Sequence, residues 1–334
     1  MSLSNILIIG CGSIGERHLR CFLKTGRARV TACDTNAALL KKMAATYSVP
    51  VSDDWRKSLA AGFDAVVICT PAPFHVAMAT LAMESGAHVL IEKPLSQSLE
   101  GVTELIATRD RLKRQAAVAY VLHVYPLLCE AREFLRRAEF GPVRQVSVVT
   151  GQSFPFFRPA YAQTYYRDRK MGGGAIQDAL THSVNWVESV VGPCESVLCD
   201  CAHLVLPDVE VEDTVHVSLR HGAVLSNFAM NQFQAPNETT MQFNAAGGSV
   251  KIELHQHRWG TCTAGTPGWV WREVAPLDRD GPFTLQANAF LDQLAGQPSR
   301  LCSLNAAAAT LRFNLSALAA AESGRRVTCS SIHA

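Results

Sequence analysis

Residues 5–15 of this 334-residue chain read NILIIGCGSIG, an apolar run followed by glycines at positions 10, 12 and 15. The run has the composition of a buried β-strand, and the residues after it are typical of a helix. Glycines at this spacing allow a tight turn, a close approach of the backbone to a pyrophosphate, and close packing of the helix on the strand. The stretch therefore predicts a dinucleotide-binding loop with cofactor contacts from Gly10, Gly12, Ser13, Ile14 and Gly15.

Asp34 ends the next apolar run, RVTACD, nineteen residues after Gly15. A carboxylate at this offset accepts hydrogen bonds from the ribose hydroxyls and repels the 2′-phosphate of NADP. Thr35 and Asn36 follow it, with no adjacent arginine to offset that repulsion. We therefore expect NAD rather than NADP as the cofactor. The alternative is that Asp34 serves only as a turn or helix N-cap residue.

Up to about residue 122, strand-like runs alternate with helical stretches. The runs are too apolar for a sheet with one solvated face, which indicates a doubly wound parallel sheet covered by helices on both faces. We assign residues 1–122 to a Rossmann domain of this kind. Ligands of such sheets bind beyond the carboxyl ends of the strands. Two runs end there in polar segments, whose candidate cofactor contacts are Thr70, Pro71, His75, Glu92 and Lys93.

From residue 123 the chain is richer in strands, and turn signals near Gly222 and at Gly247-Gly248 predict hairpins. We expect an α+β domain over residues 123–334 with a large, open, mainly antiparallel sheet. The helical stretches 285–296 and 304–323 are expected to cover one face of this sheet. The opposite face is expected to be too apolar for solvent and to make a subunit contact.

Residues 172–182 read GGGAIQDALTH, three glycines followed by a helix that carries Asp178 and His182 four positions apart. On a helical wheel over residues 175–191 the two side chains lie at one border of the polar half. A partly dry border is a place where the pKa of a histidine can be tuned. The pair is therefore a candidate acid–base site, and the alternative is an ordinary structural pair on the surface.

The composition excludes several function classes. A net charge of +2 gives no support for a nucleic-acid or membrane-surface partner, and no apolar run is long enough to span a bilayer. The eleven cysteines are scattered and form no CxxC pair, which indicates reduced thiols in a cytoplasmic protein. His255 and His257 share a strand face without an evident third ligand, so we predict no metal site.

The glycine loop, Asp34, the TPAPFH segment, the EKP segment and GGGAIQDALTH together resemble the Gfo/Idh/MocA family of NAD(P)-dependent oxidoreductases over almost the whole chain. The resemblance implies hydride transfer between a sugar or polyol carbon and the nicotinamide, with Lys93, Asp178 and His182 as catalytic residues. In the oxidative direction His182 would accept the hydroxyl proton and Lys93 would stabilise the alkoxide-like transition state. Asp178 would orient the substrate or the lysine and favour the charged imidazole.

Two departures from the family pattern bear on the substrate. Asn185 stands where many members carry an acid, and His123 and Tyr125 stand in a segment where many carry an arginine. Residues 154–170, FPFFRPAYAQTYYRDRK, are rich in aromatics and arginines, which suit a sugar ring and an anionic group. The candidate substrate contacts are His123, Arg158, Tyr166 and Arg167. A subunit interface explains residues 154–170 equally well.

The main hypothesis is a dehydrogenase or reductase that acts on a sugar-like substrate and assembles as a homodimer or homotetramer through the open sheet. One alternative is a family member with no net redox change, such as a glycoside-cleaving enzyme that uses NAD transiently. A second alternative is a non-catalytic NAD-binding sensor, although a sensor has no need of Lys93, Asp178 and His182.

Overall fold

The structure is a computed structural model that describes residues 3–333. The first part alternates strand and helix: β1 (Ser4–Ile9), α1 (Ser13–Lys24), β2 (Ala28–Cys33), α2 (Ala37–Tyr47), β3 (Val51–Ser52), α3 (Trp55–Ala60), β4 (Ala65–Ile68), α4 (His75–Glu84), β5 (His88–Ile91), α5 (Val102–Leu112) and β6 (Ala116–Val118). Short 3₁₀ turns at Ala72–Phe74 and Val121–Val124 follow β4 and β6.

The middle part is richer in strands: α6 (Pro126–Arg136), β7 (Gln145–Gly151), α7 (Phe154–Phe157), α8 (Thr181–Val191), β8 (Ser196–Ala202), β9 (Thr214–His221), β10 (Val224–Asn231), β11 (Glu238–Ala245), β12 (Gly248–Glu253), β13 (Arg258–Thr263) and β14 (Val270–Glu273). A π-helical turn, Ile176–Leu180, directly precedes α8, and 3₁₀ turns lie at Tyr161–Gln163, Tyr165–Arg167, Arg169–Met171 and Leu254–Gln256. The last part contains α9 (Gly281–Leu294), β15 (Cys302–Ser303), α10 (Leu304–Ser323), β16 (Val327–Thr328) and a 3₁₀ turn, Cys329–Ser331.

The first sheet has the order β15-β6-β5-β4-β1-β2-β3, and β1 to β6 run parallel. Its central strands are buried on both faces, since Ala65–Ile68 and most of Ser4–Ile9 are shielded from solvent. The carboxyl ends of these strands carry the glycine loop, Asp34, Thr70 and Glu92. The predicted doubly wound sheet is confirmed, and it gathers these residues at one edge.

The second sheet has the order β14-β13-β12-β11-β7-β10-β9-β8-β16. Its neighbouring strands pair antiparallel except for β7 and β10, which are parallel. The predicted large, mainly antiparallel sheet is therefore confirmed. Both predicted hairpins are present: β9 and β10 join through Gly222, and β11 and β12 join through Gly247.

The chain forms two compact units, and residues 277–308 belong to the first. That unit contains the described residues up to Val124 together with Leu277–Ala308, and the second contains Tyr125–Pro276 and the described residues from Ala309 onward. The predicted second domain, 123–334, included residues 277–308. These residues instead belong to the first unit because α9 packs on α1 and β15 pairs with β6. Phe290 of α9 is fully buried against Phe22 of α1. The expectation that 285–296 covers the antiparallel sheet is therefore wrong.

The open face of the second sheet is polar rather than apolar, which corrects a second expectation. Asn227 is exposed and accepts a hydrogen bond from Ser147 Oγ at 2.9 Å, and Gln145 binds Ser147 and Asn244. Apolar exposure on this face is limited to scattered side chains such as Val149 and Leu225. The outward positions of β7, β10 and β11 include Gln145, Ser147, Asn227, Gln242 and Asn244, which alternate with the buried apolar side chains of the same strands.

Candidate active site

The three glycines of the loop after β1 have separate structural reasons. Gly10 has φ +91°, and a Cβ there would lie 2.7 Å from the carbonyl oxygen of Cys69. A Cβ at Gly15 would overlap the carbonyl oxygen of Gly10. The close packing of α1 on the loop therefore requires glycine at position 15. A Cβ at Gly12 would meet no described atom within 4 Å. The open space beside Gly12 and the amino end of α1, which starts at Ser13, suits the pyrophosphate of a dinucleotide.

Asp34 fastens this loop to the end of β2. Its Oδ2 accepts a hydrogen bond from the backbone N–H of Cys11 at 2.6 Å, and its Oδ1 accepts one from the N–H of Asn36 at 2.8 Å. Asp34 thus has the turn role that the sequence left open. Each carboxylate oxygen has a second lone-pair direction, and the side chain is partly exposed, so ribose hydroxyls can still be bound.

Glu92 and Lys93 lie at the end of β5, where Glu92 is held by a residue that sequence reasoning missed. The buried Glu92 carboxylate lies 2.7 Å from Nε2 of His18, a fully buried histidine on α1. Its other oxygen accepts a hydrogen bond from the backbone N–H of Lys93 at 3.0 Å. Burial works to raise the pKa of Glu92, but the hydrogen bonds and charges of His18 and Lys93 together outweigh it and the pKa is lowered. The Lys93–Pro94 peptide is cis, and Lys93 is partly exposed.

His75 is buried and joins the two loops that carry the other predicted cofactor contacts. Its Nδ1 lies 2.9 Å from the carbonyl oxygen of Pro94, and its Nε2 lies 2.7 Å from that of Thr70. Burial lowers the pKa of His75, although both carbonyl contacts oppose this effect. The ring therefore ties the segment after β4, with Thr70 and Pro71, to the turn after Lys93.

Asp178 is fully buried rather than at the border of a polar helix face. It lies in the π-helical turn, where the spacing of an α-helical wheel does not apply. Its Oδ2 accepts a hydrogen bond from Nη1 of Arg158 at 2.8 Å, and its Oδ1 accepts one from the hydroxyl of Tyr165 at 2.6 Å. The charge of Asp178 raises the pKa of Arg158. The carboxylate thus binds two side chains of the aromatic segment 154–170.

His182 lies in the first turn of α8 and is partly exposed, whereas Thr181 and Asn185 of the predicted polar half are buried against α10. Asn185 Nδ2 donates to Oγ1 of Thr310 at 2.8 Å, and the same hydroxyl donates to Glu188 at 2.5 Å. Asn314 Nδ2 donates to the hydroxyl of Thr181 at 3.1 Å. These hydrogen bonds give Thr181, Asn185 and Glu188 polar partners on α10, and they fix the helix that carries His182.

The glycines before this helix pack against protein groups. A Cβ at Gly173 would overlap the carbonyl of Tyr166, and one at Gly174, which has φ +90°, would overlap the carboxylate of Glu212. Glu212 is buried, accepts a hydrogen bond from Arg169 Nη2 at 2.8 Å and one from the N–H of Ile176 at 3.2 Å. Glu212 therefore holds the start of the helix, a role for which only the acid-rich sequence VEVED gave a signal.

The candidate substrate contacts have different surroundings. His123 is buried in the 3₁₀ turn after β6, and Tyr166 is buried with its hydroxyl hydrogen-bonded to the side-chain amide oxygen of Gln232. Arg158 binds Asp178, whereas Arg167 is exposed. Tyr165, which the sequence analysis did not single out, is the aromatic residue that reaches Asp178.

Between residues 3 and 333, no three His, Cys, Asp or Glu side chains are grouped so that they could hold a metal ion. Within the same range no helix is long and apolar enough to cross a bilayer.

The chain matches known proteins over both units. Residues 4–120 match the family described as "Oxidoreductase family, NAD-binding Rossmann fold", and residues 129–251 match the "GFO/IDH/MocA C-terminal domain". The chain is 24% identical over 303 residues to UDP-N-acetylglucosamine 3-dehydrogenase of Acidithiobacillus ferrooxidans, which covers 88% of this chain and 90% of that protein.

Two solved structures share the fold over nearly full length. The WlbA dehydrogenase from Bordetella pertussis, solved with NADH and UDP-GlcNAcA, has a TM-score of 0.84 at 21% identity and covers 98% of both chains. Levoglucosan dehydrogenase, solved with NADH and levoglucosan, has a TM-score of 0.86 at 18% identity and covers 98% of this chain and 100% of its own.

Proposed function

The chain belongs to the Gfo/Idh/MocA family of oxidoreductases with an NAD-binding Rossmann fold, and we propose that it transfers a hydride between NAD and a hydroxyl-bearing carbon of a sugar or sugar derivative. The observation that carries this proposal is the arrangement at the carboxyl edge of the parallel sheet. The glycine loop with open space at Gly12, the ribose-binding candidate Asp34, and Lys93 at the end of β5 all lie along that edge.

Lys93 and His182 are the residues to which we assign the chemistry. In the oxidative direction His182 accepts the proton of the substrate hydroxyl as general base. Lys93 donates a hydrogen bond to the same oxygen and stabilises the negative charge that develops on it. NAD, when bound, supplies the hydride acceptor. Such acid–base assistance is typically worth about 10²–10⁴ in rate.

Asp178 is best explained as a positioning residue. Because both carboxylate oxygens bind Arg158 and Tyr165, the aspartate holds residues of the aromatic segment on the helix that carries His182. Arg158 is then already paired with a carboxylate. We therefore propose that a neutral sugar ring, rather than an anionic group bound by Arg158, is what this segment contacts.

The relatives support the proposed substrate class. UDP-N-acetylglucosamine 3-dehydrogenase, the full-length relative described above, supports a pyranose hydroxyl, with the 3-hydroxyl as the first position to test. The direct experiment is a spectrophotometric screen of sugars, polyols, sugar acids and nucleotide sugars with NAD and NADP. Formation of NADH with one class of sugar hydroxyl supports the proposal. Turnover confined to substrates without a sugar or polyol hydroxyl would contradict it.

Matched variants test the catalytic assignment. Lys93→Ala and His182→Asn should each lower kcat by at least about a hundredfold. The control variants Lys57→Ala and His333→Asn change exposed residues of the same types and should leave kcat within about twofold. If both catalytic variants keep kcat within a few fold of the parent, the roles of Lys93 and His182 are wrong.

The same assays separate the two alternatives. A net non-redox enzyme would convert a glycoside without accumulation of NADH, and its NAD would survive purification. A sensor would bind NADH, with quenching of tryptophan fluorescence, and turn over no substrate in the screen. Either result would replace the proposal of a dehydrogenase.

We also propose that the chain forms a homodimer or homotetramer through the open face of the second sheet. Because this face is polar, we expect the contact to be made by amide and hydroxyl groups around Val149 and Leu225 rather than by an apolar surface. Light scattering after gel filtration should give a multiple of 36.2 kDa, and Asn227→Glu should reduce it. A monomer at micromolar concentration would contradict this proposal.

The eleven free thiols support a cytoplasmic location.

A further inference from the structure

Cys194 and Cys329 are two buried thiols in direct contact, although 135 positions separate them in the chain. Their sulfur atoms lie 3.6 Å apart, and the residues are 7% and 4% exposed. Cys194 lies between α8 and β8, and Cys329 begins the 3₁₀ turn after β16. Both therefore lie in the second unit, whereas the glycine loop and Lys93 belong to the first.

The backbone around this pair is already held in register. β16 pairs antiparallel with β8, with Val327 opposite Val197 and Thr328 opposite Ser196. The N–H of Cys329 continues this ladder by donating to the carbonyl oxygen of Glu195 at 2.8 Å. A disulfide requires an S–S distance of about 2.05 Å, so the sulfur atoms must approach by about 1.5 Å. Side-chain rotation can supply that approach because the two backbones are already neighbours.

We propose that Cys194 and Cys329 form a reversible disulfide by exchange with a low-molecular-weight disulfide, and that this bond locks the C-terminal segment onto β8. The proposal is independent of the reaction at Lys93 and His182. It adds a modification site whose reactant is a small organic disulfide, such as oxidised glutathione.

A cavity beside the pair gives such a reactant access. It has a volume of about 640 Å³ and opens to solvent, and its wall includes Cys194, Arg312 and Thr328. The guanidinium of Arg312 favours the approach of an anionic disulfide and the formation of a thiolate. The cavity therefore places Cys194, and Thr328 next to Cys329, at a surface that a small molecule can reach.

The electrostatics distinguish Cys329 from the Cys11 and Cys33 thiols of the first unit, whereas the contact with Cys329 raises the pKa of Cys194. The hydrogen bond between the two sulfur atoms lowers the pKa of Cys329, so that thiol reaches its reactive thiolate form more readily. Burial instead raises the pKa of Cys11 to about 12 and that of Cys33 to about 11. Those two thiols are consequently poor nucleophiles at neutral pH.

The reaction balances in two exchange steps. One of the two thiols, as its thiolate, attacks one sulfur of the small disulfide, forms a mixed disulfide and releases one small thiolate, which takes up the proton of that thiol. The thiolate of the other cysteine then attacks the protein sulfur of the mixed disulfide, and the second small thiolate leaves and takes up the second proton. Two protein thiols are oxidised, and one small disulfide is reduced to two small thiols.

The bond would reach the helix that carries His182. The N–H of Cys194 donates to the Glu188 carboxylate at 3.0 Å, and Glu188 is bound to Thr310 of α10. A disulfide would therefore fix the connection between α8 and β8 to the turn after β16, and the hydrogen bonds of Glu188 carry this restraint to α8. Because it closes a loop of more than a hundred residues, it should stabilise the second unit.

The test is a redox titration of the purified full-length chain with glutathione. Samples equilibrated at different ratios of oxidised to reduced glutathione are quenched with N-ethylmaleimide in denaturant and weighed by mass spectrometry. The reduced chain should carry eleven adducts, one for each cysteine, and the oxidised chain nine. Peptide mapping should assign the bond to Cys194 and Cys329, and the oxidised chain should melt at a temperature about 5–10 °C higher.

Matched cysteine variants complete the test. Cys329→Ser should carry ten adducts at every ratio and show no rise in melting temperature. The control Cys199→Ser, a buried cysteine of β8, should still lose two adducts on oxidation, from ten to eight. Eleven adducts at every ratio in the parent, a lasting glutathione adduct, or a bond mapped to other cysteines would each overturn the proposal. Mapping of the parent decides the question even if Cys329→Ser fails to fold.

Discussion

Glu188 should make the stability of the second unit depend on pH, and Glu188→Gln should remove that dependence. Burial raises the pKa of this carboxyl from 4.5 to about 7, against the opposing hydrogen bonds from Thr310 and the N–H of Cys194. Because the folded pKa lies above the unfolded one, the stabilisation is complete below about pH 4.5 and is lost as the pH rises through about 7.

The magnitude follows from the same two pKa values. Each tenfold difference in proton affinity is worth about 1.4 kcal/mol, so the difference between 4.5 and about 7 corresponds to about 3 kcal/mol. Between pH 5 and pH 8 the parent should lose most of this free energy of unfolding relative to Glu188→Gln, which cannot ionise. For a domain of this size, that is a relative change in melting temperature of about 6–12 °C.

The assay is thermal unfolding of both proteins at several pH values from 5 to 8, under reducing conditions so that Cys194 and Cys329 stay as thiols. The quantity of interest is the difference between the two proteins, in which the other titrating groups cancel. Glu133→Gln, a change at an exposed carboxylate of α6, should follow the parent. Parallel pH curves for the parent and Glu188→Gln would refute the reasoning.

Three further predictions concern the candidate site. Asp34→Ser should move the ratio of kcat/KM for NAD over NADP at least about tenfold towards NADP, and an unchanged ratio would remove the argument from the carboxylate. Arg158→Ala should lower the free energy of unfolding by about 1–2 kcal/mol, because the buried Asp178 carboxylate loses one partner while Arg158 itself is half exposed, and Asp178→Asn in that background should restore part of it; equal stabilities of the single and double variants would contradict the pairing. His18→Ala should raise the Kd for NAD and lower stability by about 3–5 kcal/mol, with partial recovery in His18→Ala with Glu92→Gln, whereas unchanged stability of His18→Ala would show that this buried pair is unimportant.

The sequence was most informative where a local pattern has one structural solution. The glycine spacing, the apolar strands and the two hairpin turns each depend on neighbours in the chain, and all appear in the structure. Asp34 and Lys93 lie at strand ends because parallel strands end at one edge of a sheet. These parts need no knowledge of distant contacts.

The errors arose where distant residues decide the surroundings. The helical wheel assigned Asp178 to a border, but a π-helical turn and the contacts of Arg158 and Tyr165 bury it. The polar stripe of α8 looked exposed because its partner Thr310 lies more than a hundred positions later. His18 could have been predicted to bind a polar group, since a histidine on the packed side of α1 needs a partner. The sequence around it does not identify that partner, because Glu92 lies 74 positions later.

The return of α9 to the first unit also has a consequence for synthesis on the ribosome. Phe290 and Leu291 belong to the same buried cluster as Phe22 and Leu19, and β15 supplies the edge strand beside β6. The cofactor-binding unit therefore cannot complete its core until about residue 308 has emerged, by which time almost all of the antiparallel sheet has been made. A fragment that ends at Val124 should expose the surface of α1 that α9 covers and should aggregate.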